Sequence, residues 1–390
     1  MGHLEAMSEL EGEVSQISCE REWLVAGIGI VQRGVSSRST LPILSGTLLE
    51  TTDNGLRLVG TDLELSIETY IPAMFTGQAA MVLPARYLGD IARRLPEKEV
   101  SIAFNPVKRT ATVSSGRAVY CINSMDPAEF PLFPQVGGDV WWKVEGTALA
   151  QFVRQTAFAA ATDENRPFLT GVLMAFDGRE VRFAATDTFR LALRRVALGS
   201  EAGPSAPRQL IVPARAFVEV GKIVQTGEDE VEVYTSENQV AFKCQKTTIV
   251  SRVIDGQFPN YERVIPKNWR TRIVVDKARL LDAVERAAVM GKDEFGTVRL
   301  ELGGETRAMM ISANAPEVGN AQEEIAVSSS EGERSEVALR SRYLVDVLRV
   351  VDDEEISMET TGPVSPVVFR RPGENSRDYL YLIMPVTVNA

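Results

Sequence analysis

The chain has 390 residues, 44% hydrophobic and 24% charged, with a formal net charge of −11. That is the composition of a globular protein of roughly two to four domains, and no apolar run reaches the roughly 20 residues of a membrane-spanning helix. Its single histidine is His3, which removes histidine-relayed nucleophiles, histidine general bases and histidine-bearing zinc sites. Cys19, Cys121 and Cys244 lie far apart without metal-ligand spacing, the pattern of reduced thiols in a cytoplasm.

Residues 1–13 read as a polar, acidic tail. A strand at Val14–Ser18 leads into a helix at Arg21–Gln32, where Leu24, Ile28 and Val31 fall at helical spacing. A Gly- and Ser-containing loop, 33–40, follows. Strands Leu44–Thr51 and Leu56–Thr61 flank the hairpin signal Asp53-Asn54-Gly55, and a further strand covers Leu63–Ile71. Pro84-Ala85-Arg86 opens a second helix reaching Leu95. Strands Val100–Asn105, Thr110–Ser114 and Ala118–Ile122 close this set.

The order then recurs. A helix at Thr147–Ala161 precedes strands Leu169–Phe176 and Val181–Thr186 around Asp177-Gly178. A Gly-, Pro- and Ser-rich loop, Leu198–Gln209, precedes a helix opening at Pro213, and strands Val231–Thr235 and Gln239–Cys244 follow. The last third has a helix at Lys277–Met290, strands, a helix at Ser341–Val350, and strands to Val388.

The letters repeat with the order. Thr61-Asp62 returns 125 positions later as Thr186-Asp187, and Leu44-Ser45-Gly46 returns at the same spacing as Leu169-Thr170-Gly171. Pro84-Ala85-Arg86 recurs as Pro213-Ala214-Arg215, with a weaker echo in Arg340-Ser341-Arg342. The period is the size of a small domain. The predicted fold class is therefore α+β, in three tandem copies of antiparallel strands with two helices grouped on one side. The copies run over 14–138, 139–266 and 267–390, with boundaries near Gly137-Gly138 and Pro266-Lys267-Asn268.

Few residues suggest catalysis. Gly27-Ile28-Gly29 falls inside a helical pattern, the wrong context for a dinucleotide loop. Asp62 and Asp187 recur once per copy, which suits the capping of a turn better than acid–base work. Basic residues are more telling. Arg86 and Arg215 hold one place at the start of the second helix, Arg38 follows the first helix, and Arg166 lies just after a helix. A basic helical face repeated in every copy suits backbone phosphates, and a local basic surface is compatible with an acidic chain. The apolar C-terminal run Tyr379–Val386 reads as a final strand beside a Met- and Pro-lined groove for partner peptides.

Ser39-Thr40-Leu41-Pro42-Ile43-Leu44, Gly60-Thr61-Asp62-Leu63-Glu64, Phe258-Pro259-Asn260-Tyr261-Glu262-Arg263-Val264-Ile265-Pro266 and Met384-Pro385 together resemble the bacterial sliding clamp family, the β subunits of DNA polymerase III, from Val14 to Val388. The resemblance implies three tandem clamp-fold domains, antiparallel sheets outside and two helices per domain lining a ring. It implies a head-to-tail homodimer around double-stranded DNA, read without sequence specificity. It also implies a non-catalytic, cofactor-free and metal-free cytoplasmic role. The ring would tether the polymerase III catalytic subunit for processivity, be opened by a clamp loader, and serve other clamp-binding proteins, with no membrane partner. The alternative is a specialised clamp paralogue that acts as a peptide-binding scaffold. By resemblance, Arg38, Arg86, Arg166 and Arg215 face DNA. Leu169, Thr186, Leu191, Pro259, Arg263, Val264, Leu382, Met384, Pro385 and Val386 form a partner-peptide pocket. Tyr120 and Ile122 meet Val289 and Met290 across the dimer contact. Thr188 and Phe189 stand where the family often has Gly and His, Thr387 replaces a frequent Arg, and Arg340 occupies a place that can be polar and neutral in the family.

Overall fold

The computed structural model describes residues 15–387, apart from 37–39, 139, 199–206, 225–228, 292–295, 305–306, 316 and 374–376. Arg38 lies outside the described residues. Three runs of elements follow one plan: strand, helix, three-strand meander, strand, helix, three-strand meander.

In the first copy these are β1 (Ser15–Glu20), α1 (Arg21–Val31), β2 (Gly46–Thr52), β3 (Gly55–Thr61), β4 (Leu65–Ile71), a short β5 (Met74–Thr76), β6 (Ala80–Pro84), α2 (Ala85–Arg94), β7 (Glu99–Asn105), β8 (Thr110–Ser115) and β9 (Ala118–Asn123). The second has β10 (Trp142–Glu145), α3 (Gly146–Thr156), β11 (Gly171–Phe176), β12 (Glu180–Thr186), β13 (Arg190–Ala197), β14 (Arg208–Pro213), α4 (Ala214–Val224), β15 (Glu230–Thr235), β16 (Gln239–Cys244) and β17 (Thr247–Arg252). The third has β18 (Thr271–Asp276), α5 (Lys277–Ala288), β19 (Thr297–Leu302), β20 (Ala308–Ala315), β21 (Gly319–Ala326), a short β22 (Ser329–Gly332), β23 (Ser335–Arg340), α6 (Ser341–Val350), β24 (Glu355–Thr360), β25 (Val367–Arg370) and β26 (Tyr379–Ile383).

Every named strand pairing is antiparallel. The sheets run β5-β1-β7-β8-β9, β10-β15-β16-β17-β4-β3-β2-β6, β14-β11-β12-β13-β26-β25-β24-β18-β22, and β21-β20-β19-β23. The two long sheets cross from copy to copy: β4 pairs with β17, Ile67 opposite Ile249, and β13 pairs with β26, Ala192 opposite Tyr381. Compact packing follows the sheets. One unit is Met1–Thr147 with Lys222–Arg252, and the other is Ala148–Gly221 with Val253–Ala390. The second copy thus gives one half of its strands to each unit.

Helix α1 buries Leu24, Ile28 and Val31, the residues its spacing predicts. Its Gly27 allows close approach to the sheet, since a Cβ there would stand 2.5 Å from Leu58 and 2.8 Å from Ile71.

Five predicted element edges are corrected. The strand expected from Leu63 begins at Leu65, because the chain reverses at Asp62–Glu64 with Leu63 at φ +78°. Asp62 Oδ1 accepts there from the amides of Glu64 at 3.1 Å and Leu65 at 2.8 Å. The strands expected from Leu44 and Leu169 begin at Gly46 and Gly171. Pro42 and Pro167 open short 3-10 turns, their fixed φ suiting a helical first position. The helix expected over Thr147–Ala161 ends at Thr156, whose hydroxyl donates back to the Phe152 carbonyl at 2.7 Å; Ala157–Ala159 continue as a 3-10 turn. The helix expected to Met290 stops at Ala288, with Val289 as its C-cap.

Candidate functional site

The Thr186-Asp187 turn builds the first candidate site. Asp187 Oδ1 accepts from the amides of Phe189 at 2.9 Å and Arg190 at 3.0 Å. Thr186 accepts from the Thr188 amide at 3.1 Å and donates to the Arg190 carbonyl at 2.6 Å, and Thr188 adopts φ +79°. The aspartate is thus a turn cap, as its recurrence predicts. The tight reversal pushes Phe189 outward, 46% exposed.

Beyond this turn Thr186, Leu191 and Leu382 lie side by side across β12, β13 and β26. Thr186, Leu191, Leu382 and Leu169 are all buried. A segment around Phe258 and Tyr261 packs on the same face through Leu191 and Leu382. Arg182 of β12 fastens it, pairing with Glu262 at 3.0 Å. Pro259, Arg263 and Val264 on that segment are exposed. On the other side Met384 is exposed, with Pro385 and Val386 half-buried. The Met384 amide donates to the Phe189 carbonyl and the Val386 amide to the Ala338 carbonyl, each at 2.8 Å. Of the ten predicted pocket residues, Leu169, Thr186, Leu191 and Leu382 are thus buried, and the other six are exposed or half-buried.

From the turn runs an alternating ladder of aromatic rings and guanidinium groups. Arg340 lies 4.7 Å from the Phe189 ring and 5.5 Å from Tyr343. Arg190 lies 4.4 Å from Tyr343 and 5.5 Å from Phe158. Burial works against the Arg190 charge, but Tyr381, Asp346 and Asp187 outweigh it and hold the group more firmly protonated. Burial likewise pushes the Tyr381 hydroxyl far above its usual range.

The basic positions divide. Arg86 and Arg215 are exposed at the second residue of α2 and α4. Arg342 occupies the same place in α6 and is exposed too. Sequence alone did not place it in the phosphate-facing set, although Arg340-Ser341-Arg342 carried the signal. Arg166 is placed differently, in the loop before Pro167, with Nε 3.8 Å from Asp163. Several further helix cations are ion-paired. Arg93 pairs with Asp90 at 2.7 Å, Arg154 with Asp352 at 2.5 Å, and Arg349 with Glu285 at 2.7 Å; Arg286 pairs with Glu323.

The predicted dimer residues lie on one edge strand and just after one helix. Tyr120 and Ile122 are on β9, the last strand of its sheet, Tyr120 37% exposed and Ile122 buried. Val289 is exposed beyond α5, and the Met290 methyl comes within 3.5 Å of where a side chain on Gly319 would begin, at the start of β21. Among the described residues no three acidic, His or Cys side chains cluster to hold a metal. No described helix is long and apolar enough to cross a membrane.

Three copies of one two-helix plan, sewn together through shared antiparallel sheets, define the tandem clamp fold. Family models for the N-terminal, central and C-terminal domains of the DNA polymerase III beta subunit match residues 15–134, 143–260 and 262–387. The beta sliding clamp of Staphylococcus aureus is 30% identical over 379 residues, 95% of this chain and 99% of the relative. The DNA polymerase sliding clamp of Bacillus subtilis superposes with a TM-score of 0.90 at 30% identity, covering 96% of this chain and all of that one. A Pseudomonas aeruginosa sliding clamp solved bound to griselimycin superposes at 0.88 with 27% identity, over 96% of this chain and 100% of its own. The chain belongs to the DNA polymerase III beta subunit family.

Proposed function

We propose that two copies of this chain close head to tail into a ring around duplex DNA, a sliding clamp that tethers the replicative polymerase and has no catalysis of its own. One observation carries this reading: the internal repeat leaves two complementary strands at sheet edges. At each internal seam the third meander strand of one copy pairs with the last strand of the next, β4 with β17 and β13 with β26. By the same plan β21 of the third copy has its counterpart in β9 of the first, and both lie at the ends of their sheets. Within one chain the series is open, so a second chain supplies the missing seam on each side. Such heterologous pairing closes into a ring when the rotation allows.

The repeat also supports one register. Carrying Ile67 opposite Ile249 and Ala192 opposite Tyr381 forward through the strand ladders sets Ala321 opposite Tyr120 and Gly319 opposite Ile122. Gly319 is the residue against which Met290 packs. Two of the dimer residues implied by resemblance therefore face the strand on which a third packs.

Arg86, Arg215 and Arg342, with Arg38 and Arg166, are proposed to face the phosphates. Holding DNA by enclosure needs only modest attraction inside and tolerates an acidic exterior. The cleft of Leu191, Leu382, Val264 and Met384 is proposed to take an extended, partly apolar segment of the polymerase, the loader or other partners in the cytoplasm. The test is topological. Protein loaded on nicked circular DNA by a clamp loader should co-elute with the circle and be released when the DNA is cut once. Retention on the linear form would mean ordinary contact binding and would sink the ring.

A further inference from the structure

Tyr87 carries the most exposed aromatic ring among the described residues, 67% open to solvent. It follows Pro84-Ala85-Arg86 in α2, as Ala216 follows Pro213-Ala214-Arg215 in α4 and Tyr343 follows Arg340-Ser341-Arg342 in α6. Ala216 and Tyr343 are both buried. One place in the repeat thus holds two covered side chains and one open ring. The open ring belongs to the copy whose strand β9 ends its sheet.

The seam between β13 and β26 shows what covers Tyr343. Arg190 stands opposite Ile383 in that ladder. Its guanidinium lies 4.4 Å from the Tyr343 ring and pairs with Asp346, one turn further along α6. The register carried over to β9 and β21 puts Gly319 opposite Ile122. Gly319 therefore holds the place of Arg190, and Val318 that of Phe189. Val318 is as exposed as Tyr87, at 67%. Asp90 holds the place of Asp346, and Arg93 of its own helix pairs with it at 2.7 Å.

The arginine clasp of the internal seam thus has no counterpart at these positions. Gly319 offers bare backbone instead: within 4 Å a Cβ on it would meet the Met290 methyl, at 3.5 Å. A glycine where the internal seam has an arginine leaves room for a flat ring. Exposed apolar side chains on both faces are what a contact between chains would cover.

We propose that, in the ring inferred above, the Tyr87 ring lies on the Val318–Gly319 turn of the second chain and anchors the seam between chains. The proposal rests on that ring reading. It adds to it a contact outside the four dimer positions that the family resemblance implies. The contact is apolar and needs no ion pair, whereas the internal seam is locked by a buried one. A buried aromatic anchor of this kind carries a large share of an interface's association energy.

The test is the dimer dissociation constant of the full-length protein, measured by sedimentation velocity. Tyr87→Ala should raise it about tenfold or more, and Val318→Ser should raise it too. The two changes together should raise it by less than the product of their separate effects, because either one removes the contact. Tyr87→Phe should keep the wild-type value. Trp23→Ala should also keep it, since that exposed ring lies beside Met74 of β5, at the other end of the sheet from β9. A photoreactive benzoylphenylalanine at position 87 should cross-link to a second chain within the peptide that carries Val318 and Gly319. Tyr87 and Val318 are exposed in the single chain, so the variants keep its core. A wild-type protein that stays monomeric at micromolar concentration overturns the ring and this contact together. A wild-type dimer whose constant is unchanged by Tyr87→Ala, or whose cross-link falls elsewhere, overturns the contact and leaves the ring standing.

Discussion

Arg190 and Asp346 meet at 2.5 Å, guanidinium to carboxylate, joining β13 of the second copy to α6 of the third. The same arginine holds Asp187 at 3.0 Å and donates to the Phe158 carbonyl at 2.7 Å. One buried side chain thus fixes the turn that presents Phe189, the end of the second copy's first helical segment, and a helix that carries a candidate DNA-facing arginine.

Arg190→Ala should therefore be strongly destabilising. It leaves Asp346 and Asp187 without their cation and opens a gap beside Tyr343. Breaking a buried pair by removing one partner costs about 3 kcal/mol or more. Asp346→Asn keeps the shape and a weaker hydrogen bond, and should cost only about 1–2 kcal/mol. Urea denaturation of both variants checks the order. Equal, small losses would show that Arg190 does not hold the seam.

Much of this was legible in sequence because the chain repeats. Asp62 and Asp187 read as turn caps because each recurs in place, and both accept two backbone amides. Element types followed periodicity. Edges failed where a local hydrogen bond or a fixed φ overrode it, as at Thr156, Pro42 and Pro167. Arg190 was invisible as a seam residue, since its partners Asp346 and Tyr343 lie over 150 positions away. The sharing of sheets between copies was invisible for the same reason: strand pairing across copies leaves no local pattern. The floor residues Leu169, Thr186, Leu191 and Leu382 came from family resemblance, because a buried leucine in a pocket floor looks like any core leucine.

The proposed register makes Cys121 a reporter. Asn320 falls opposite it, so Asn320→Cys would place two thiols at the spacing of directly opposed strand residues, within disulfide reach. Mild oxidation should give a covalent dimer on non-reducing gels. Ala321→Cys, one residue along and on the opposite face, should not cross-link. The reverse result would mean a register shifted by one.

The three equivalent arginines should act on DNA chiefly through their charge. Arg86→Ala, Arg215→Ala and Arg342→Ala are exposed and should leave the melting temperature within experimental scatter. Each arginine withdrawn from a phosphate should flatten the dependence of log affinity on log salt by about 0.9. Processive extension by the polymerase should shorten in the triple variant while binding of a partner peptide at the Val264–Met384 cleft persists. Loss of both would point to misfolding rather than to a DNA-facing role.

Cys19 and Cys121 should differ sharply in reactivity. Cys19 is buried in β1, and burial pushes its thiol up to about 11, whereas Cys121 is exposed on the β9 edge. Iodoacetamide at pH 8 should label Cys121 first and Cys19 only on unfolding. The folded-state pKa of Cys19 stands above the usual value of about 8.5. Its neutral form is therefore retained in full below that pH, and its share of stability is lost as pH rises toward 11. Cys19→Ala should remove that part of the alkaline destabilisation while creating a small cavity cost. If two chains close through β9 and β21, labelling of Cys121 should also slow as protein concentration is raised. A rate independent of concentration would mean that this edge stays open.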